Sequence, residues 1–176
     1  KRVLLIDSDM RKPTIHKKMV IDNSLGLSNY LAGASILDDV IFATDIMGLS
    51  VIPTGPLPPN PAELLHDENM QRLIAFGVAE YDLVIIDGPP VMGLADAPIL
   101  SNYMDGVMLV IEAGATRKGF AKNAVKRLNS ANAHIVGVLI NKFESKHAAY
   151  GYGYGGSYDS YNYYTYGSEH QKKISK

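Results

Sequence analysis

Cysteine is absent from all 176 residues, which excludes disulfides, thiolate nucleophiles and zinc held by cysteine. The five histidines are scattered, with no spacing that would gather them on one metal. No apolar run reaches the roughly 18–20 residues that span a bilayer. No signal peptide is visible either, so the chain reads as cytoplasmic. Neither sign of charge dominates: 17 Lys and Arg against 18 Asp and Glu leave a formal net charge of −1. That balance gives no general pull toward nucleic acid or an anionic membrane. What remains, 47% hydrophobic and 20% charged residues, suits a single globular domain with its own core.

A phosphate-binding loop is also missing. The pattern G-x-x-x-x-G-K-[ST] occurs nowhere, and the basic, glycine-containing stretch Gly114–Gly119 does not supply it. A literal G-x-G-x-x-G does occur at Gly151–Gly156, but with no helix behind it to receive a pyrophosphate, so it carries no nucleotide expectation. The sequence starts at Lys1, without methionine, directly on a core-strand pattern. A piece of a longer protein is the expectation.

The strongest positive signal is Val3-Leu4-Leu5-Ile6-Asp7-Ser8-Asp9-Met10-Arg11-Lys12-Pro13. Four consecutive apolar residues read as a strand buried on both faces of a parallel sheet. A second such strand, Leu83-Val84-Ile85-Ile86-Asp87, runs into Gly88-Pro89-Pro90, and Leu49–Pro53 reads as a third. Gly106–Glu112 and His134–Asn141 complete the strand set. Between them, short helices are expected over Thr14–Val20, Leu27–Leu31, Ile36–Phe42 and Ala95–Asn102, with turn chemistry at Asp22–Gly26. Thr54–Pro59 is a stiff loop expected over the top of the sheet. Asn60-Pro61-Ala62-Glu63 carries helix-start signals for one helix that buries Leu64, Leu65, Met70, Leu73, Ile74 and Phe76. Thr116–Asn132 reads as a basic amphipathic helix with Arg117, Lys118, Lys122, Lys126 and Arg127 on its outer face. Strands alternating with helices predict a doubly wound, mostly parallel α/β domain over residues 1–149.

Ligands of open α/β sheets bind at the carboxyl ends of strands. Asp7, Asp9 and Asp87 all fall there, and carboxylates suit Mg²⁺, which keeps several waters and adds substrate phosphates. The plainer reading of Asp7 and Asp9 is an acidic pair shaping a turn; the second acidic strand end favours the functional one. Arg11 and Lys12 are either surface cations or groups that stabilise charge on a transferring phosphoryl group. Asn141-Lys142, ending the last strand, is either a cradle for a nucleotide base or a polar strand end. Residues 150–176 form a low-complexity tail expected to be disordered. Eight tyrosines crowd it: Tyr150, Tyr152, Tyr154, Tyr158, Tyr161, Tyr163, Tyr164 and Tyr166. They fit a weakly sticky or RNA-binding tail, an inert one, or a set of phosphoacceptors, each phosphate adding about −1.5 to −2 charges.

Taken together, these motifs resemble the bacterial tyrosine kinases (BY-kinases), the autokinases of capsule and exopolysaccharide export. Val3–Pro13 is similar to their Walker A′ motif and Leu83–Pro90 to their Walker B. Gly26-Leu27-Ser28-Asn29, the segment Gly55–Leu65 and the tyrosine cluster also match. The two Walker elements alone would fit partitioning ATPases of the ParA/MinD type; the proline-asparagine loop and the tail favour the kinase. The resemblance implies a P-loop NTPase fold whose Walker A part lies upstream, and ATP with Mg²⁺ as ligands. Asp9 and Asp87 would support the metal, Asp7 would activate the acceptor hydroxyl, and the tail tyrosines would receive the phosphate. It implies further copies of the chain in a ring that phosphorylates in trans, and a two-span membrane co-polymerase domain, fused or separate. A cognate tyrosine phosphatase belongs to the same picture; nucleic acid does not. The location implied is the inner face of the bacterial plasma membrane. Without its phosphate loop the 176-residue chain is expected to bind ATP poorly. The alternatives to this reading are a ParA/MinD-like ATPase and a P-loop-less binding module.

Overall fold

The computed structural model describes residues 1–143. The tyrosine cluster, and the boundary expected at 149–150, lie outside the described residues. Two parallel arrangements make up the sheet structure. The first has four strands in the order β2 (Phe42–Ala43), β3 (Leu49–Ile52), β1 (Val3–Asp7), β4 (Leu83–Asp87). The second pairs β5 (Val107–Glu112) with β6 (Ile135–Asn141). Only the two-residue β2 runs antiparallel to its neighbour. The expected α/β class with a mostly parallel sheet is the fold observed.

β1 is central because its sequence is. Leu4 and Ile6 are fully buried and anchor the main core with Leu27, Leu31, Ile52, Leu65, Met70 and Leu73. Its neighbours lock in register: Val3 opposite Leu49 and Leu83, Ile6 opposite Ile52 and Ile86, and Asp7 opposite Asp87. The core is closed by α2 (Leu27–Leu31), α3 (Pro61–Leu65), α4 (Glu68–Glu80) and α5 (Asp96–Ser101), while α1 (Ile15–Met19) buries Ile15 apart from that cluster. A smaller cluster of Leu109, Ala124, Leu128 and Ala133 joins β5 to α6 (Lys118–Ser130).

Three expectations are corrected. The helix beginning at Asn60 is two helices, because Asp67 caps a new one by accepting from Asn69 N–H at 2.9 Å. Asn60 itself makes no side-chain cap to the helix backbone; its amide donates to Glu63 instead. Ile36–Phe42 forms only the 3₁₀ turn Leu37–Asp39 and then enters β2, consistent with its β-branched and aromatic end. β4 is not buried on both faces: Val84 and Ile86 pack on the core, while Leu83 and Ile85 stay 50% and 44% exposed.

One glycine is dictated by the packing. The N–H groups of Leu27 and Ser28 donate to the carbonyls of Pro53 and Thr54 at 2.8 and 2.9 Å. A Cβ on Gly26 would lie 2.3 Å from Gly55 N and Pro53 O, so this approach of α2 to the exit of β3 needs a residue without a side chain.

Candidate active site at the carboxyl ends of β1 and β4

The two acidic strand ends are bound to each other through backbone. Ser8 gives both its N–H (2.9 Å) and its hydroxyl (2.8 Å) to the carbonyl of Asp87. On the other side, the buried Thr54 hydroxyl donates to the carbonyl of Asp7 at 3.0 Å. The exits of β3, β1 and β4 are thereby one hydrogen-bonded unit. The proline-rich segment leaves this unit at Gly55, which is held by a reciprocal pair of bonds with the Asn23 amide. A groove of about 350 Å³ lies beside it, lined by Asn29, Pro56, Leu57, Pro58, Asn60 and Leu64.

Asp7, Asp9 and Asp87 meet different surroundings. The Asp7 side chain is 1% exposed, and three N–H groups point at it. One Asp7 oxygen accepts from Ile15 at 3.0 Å and Thr14 at 3.3 Å, and the other accepts from Asp9 at 3.3 Å. Asp7 thus folds the turn and fixes the start of α1. One oxygen of Asp9 accepts from the N–H groups of Arg11 and Lys12 at 3.1 and 3.0 Å, and no donor among the described residues reaches the other. Among the described residues Asp87 has no side-chain hydrogen-bond or ion-pair partner. Desolvation and then repulsion from Asp7 push its carboxyl above the usual carboxylate range, Asp9 adding to the effect and Lys18 opposing it.

Arg11 sits on a partner that reading the sequence did not find. Its Nε and Nη2 donate to the two oxygens of Asp96 at 3.0 and 3.2 Å. Asp96 has no exposed surface, whereas the Arg11 side chain is 40% exposed. The pair joins the turn after β1 to the first turn of α5. In sequence, Asp96 looks like any acidic residue opening a helix, and nothing local marks it as the anchor of a cation 85 positions away.

Asn141 and Lys142 close β6, in the other sheet. Asn141 lies opposite Glu112 in register, and its side chain accepts from Lys142 N–H at 2.8 Å. Lys142 Nζ pairs with Glu112 at 2.9 Å. The eight tail tyrosines lie outside the described residues.

The donor set fits a hydrated hard cation completed by substrate, rather than a closed protein cage. Among the described residues no group of three or more His, Cys, Asp or Glu could hold a metal alone. Asp9, with one oxygen that no donor among the described residues reaches, and the unpartnered Asp87 could contribute carboxylates to such an ion. Mg²⁺ bound with nucleotides takes one or two carboxylates plus phosphate oxygens and water, which matches this pair.

No family model matches the chain. The tyrosine-protein kinase YwqD of Bacillus subtilis is 44% identical over 153 residues, 86% of this chain and 65% of YwqD. The chain therefore spans about two thirds of that relative's length. The kinase domain of the Escherichia coli tyrosine kinase ETK superposes with a TM-score of 0.81 at 35% identity, covering 90% of this chain and 62% of that one. The VpsO kinase domain gives 0.76 at 33% identity, covering 81% and 71%. MinD from Pyrococcus horikoshii, solved with Mg-ADP, gives 0.66 at 21% identity over 82% and 59%, a likeness of fold alone.

Proposed function

The chain belongs to the bacterial tyrosine kinase (BY-kinase) family, and on that premise we propose that the protein transfers the γ-phosphate of ATP to tyrosines of its own tail. The observation that carries this reading is the union of two acidic strand ends. Asp7 and Asp87 are register partners, and Ser8 ties their turns together.

The residues divide the work. Asp9 and Asp87 would hold Mg²⁺, which when bound supplies charge neutralisation at the phosphates. Arg11 is kept in place by Asp96 through two of its five N–H groups; the remaining three are free to face a developing anion. A tyrosine hydroxyl, with a pKa near 10, is protonated at neutral pH and needs a proton acceptor. Asp7 takes this role through the oxygen whose one contact, to Asp9 N–H, is 3.3 Å long. The P–O bond to ADP breaks, the bond to the phenolic oxygen forms, and the phenolic proton passes to the carboxylate. Asn141 and Lys142 would approach the nucleotide base. The acceptors are Tyr150, Tyr152, Tyr154, Tyr158, Tyr161, Tyr163, Tyr164 and Tyr166.

By the same family reading, phosphorylation proceeds in trans within a ring of copies. The ring sits at the inner face of the plasma membrane with a co-polymerase domain, and a tyrosine phosphatase resets it. Tail phosphorylation would then control polymerisation and export of a capsule or exopolysaccharide. Among the described residues no helix is long and apolar enough to cross a membrane.

The test is to incubate the product of the complete gene with ATP and Mg²⁺ and to map phosphosites by mass spectrometry. Phosphate confined to Tyr150–Tyr166 and lost in Asp9→Asn is the expected result. ATP turnover without phosphotyrosine would assign the protein to the hydrolytic, MinD-like branch of this fold instead.

A further inference from the structure

We propose that Arg127 of α6 is a positioning residue for phosphoryl transfer: it holds the segment that follows β4, so that Asp96 keeps Arg11 directed at the phosphates. This rests on the autokinase reading above. By sequence pattern Arg127 belongs with Arg117, Lys118, Lys122 and Lys126 on an outer cationic face, and those four are exposed. Arg127 is instead half-buried, one turn from the buried Ala124 and next to the buried Leu128. Its Nη2 donates to the Leu94 carbonyl at 2.7 Å, and its Nε is buried without a partner among the described residues. A guanidinium that gives up water at one nitrogen without replacing it is better solvated at the surface. The short, charge-assisted bond to Leu94 offsets that loss and sets the inward course of the side chain.

What Arg127 holds is otherwise lightly fastened. Gly88 to Ala95 run from the unpartnered Asp87 to the buried Asp96. None of the N–H groups from Val91 to Ala95 donates to a partner among the described residues. Val91 and Met92 pack on the small core of β5 and α6, whereas Ile99 and Leu100 pack on the main core. Leu94–Asp96 is the crossing between the two. The Arg127 bond fixes the backbone there, two residues and at most about 7 Å of chain before Asp96.

The far end of this relay is exacting. Asp96 has no exposed surface; one of its oxygens accepts from Arg11 Nε at 3.0 Å and the other from Nη2 at 3.2 Å. A two-pronged pair fixes the plane of the guanidinium, and with it the direction of the N–H groups left over. A displacement of about 1 Å at a reacting site can cost about 100-fold in rate. Arg127 meets the reacting groups only through Leu94, Asp96 and Arg11 in turn.

The test replaces Arg127 with Met, which keeps an apolar stem and removes the donor, and with Lys, which restores one. In the 176-residue chain, hydrogen exchange at Arg11 Nε–H, assigned by its disappearance in Arg11→Lys, reports the bond to Asp96 by NMR. The expected result is exchange at least about tenfold faster in Arg127→Met, with the amide shifts of β1 unchanged, and a return toward the parent value in Arg127→Lys. Should Arg127→Met lose the β1 amide pattern, Arg127→Gln, shorter and uncharged, takes its place. In the product of the complete gene, Arg127→Met should lower the autophosphorylation kcat at least about tenfold and leave KM for Mg-ATP within about twofold. The same substitution on an Arg11→Lys background should cost no further rate. Parent exchange at Arg11 in Arg127→Met would overturn the proposal. So would a rate loss that persists in full on the Arg11→Lys background, because Arg127 would then act by another route. Exchange is read whether or not phosphate is transferred, so an inactive parent protein contradicts the autokinase reading alone.

Discussion

The turn that closes β1 and the turn that closes β4 begin from the same residue type, in register, and diverge at once. Asp7 is enclosed, with three N–H groups on its oxygens and a helix starting from it. Asp87 gives its backbone carbonyl to Ser8 but leaves its side chain unpartnered and electrostatically strained. The physical difference lies in the residues just beyond each strand. After β1 the chain from Ser8 to Ile15 wraps back so that the N–H groups of Asp9, Thr14 and Ile15 reach the carboxylate. After β4 comes Gly-Pro-Pro, whose prolines have no N–H to give. One acid therefore builds the turn and keeps one lightly held oxygen for the transferred proton, and the other is unpartnered and available to a metal ion.

The sharpest way to break this contrast is Asp7→Ala, which leaves three backbone donors in a buried turn without an acceptor. Denaturant unfolding should show a loss of about 3–4 kcal/mol. Next comes the Arg11–Asp96 pair. Arg11→Ala leaves a wholly buried carboxylate without its cation and should lower the unfolding midpoint more than Asp96→Ala does. The double variant should cost less than the sum of the two, as expected for residues in direct contact. A smaller effect, about 1 kcal/mol, is expected from Asp9→Ala, because its two N–H partners lie in an exposed turn open to water.

Asp87→Asn should have the smallest effect on folding, and with the opposite sign. A carboxyl whose folded pKa is raised binds its proton more tightly in the folded than in the unfolded chain. Its ionisation therefore erodes stability as pH rises from the unfolded value through the folded one. Asp87→Asn should remove that erosion and be at least as stable as the parent at neutral pH, with the difference vanishing at a pH below both values. Paired unfolding curves at acid and neutral pH would check it.

Much of this was open to reading in the sequence because local pattern and tertiary environment agreed. The runs Val3–Ile6 and Leu83–Ile86 have the pattern of parallel strands in an α/β sheet, and each put its aspartate at the carboxyl end of that sheet. What escaped reading depends on contacts distant in sequence. Nothing near Asp96 announces Arg11, and nothing in Leu83 or Ile85 says that one face of β4 stays open. The Asp67 cap is hidden in the sequence because the apolar spacing continues across His66–Asp67 as though one helix ran through. Likewise, two strand patterns that each end in an aspartate conceal that Asp7 is held by three N–H groups while the Asp87 side chain has no partner among the described residues.

The most direct test of that division is the Mg²⁺ dependence of autophosphorylation in Asp87→Asn, measured beside its unfolding midpoint in the product of the complete gene. The prediction is an unchanged or raised midpoint with transfer lost or displaced to much higher Mg²⁺. Transfer at the parent rate and the parent Mg²⁺ requirement would contradict the account, showing that the free carboxylate at the end of β4 takes no part in holding the metal.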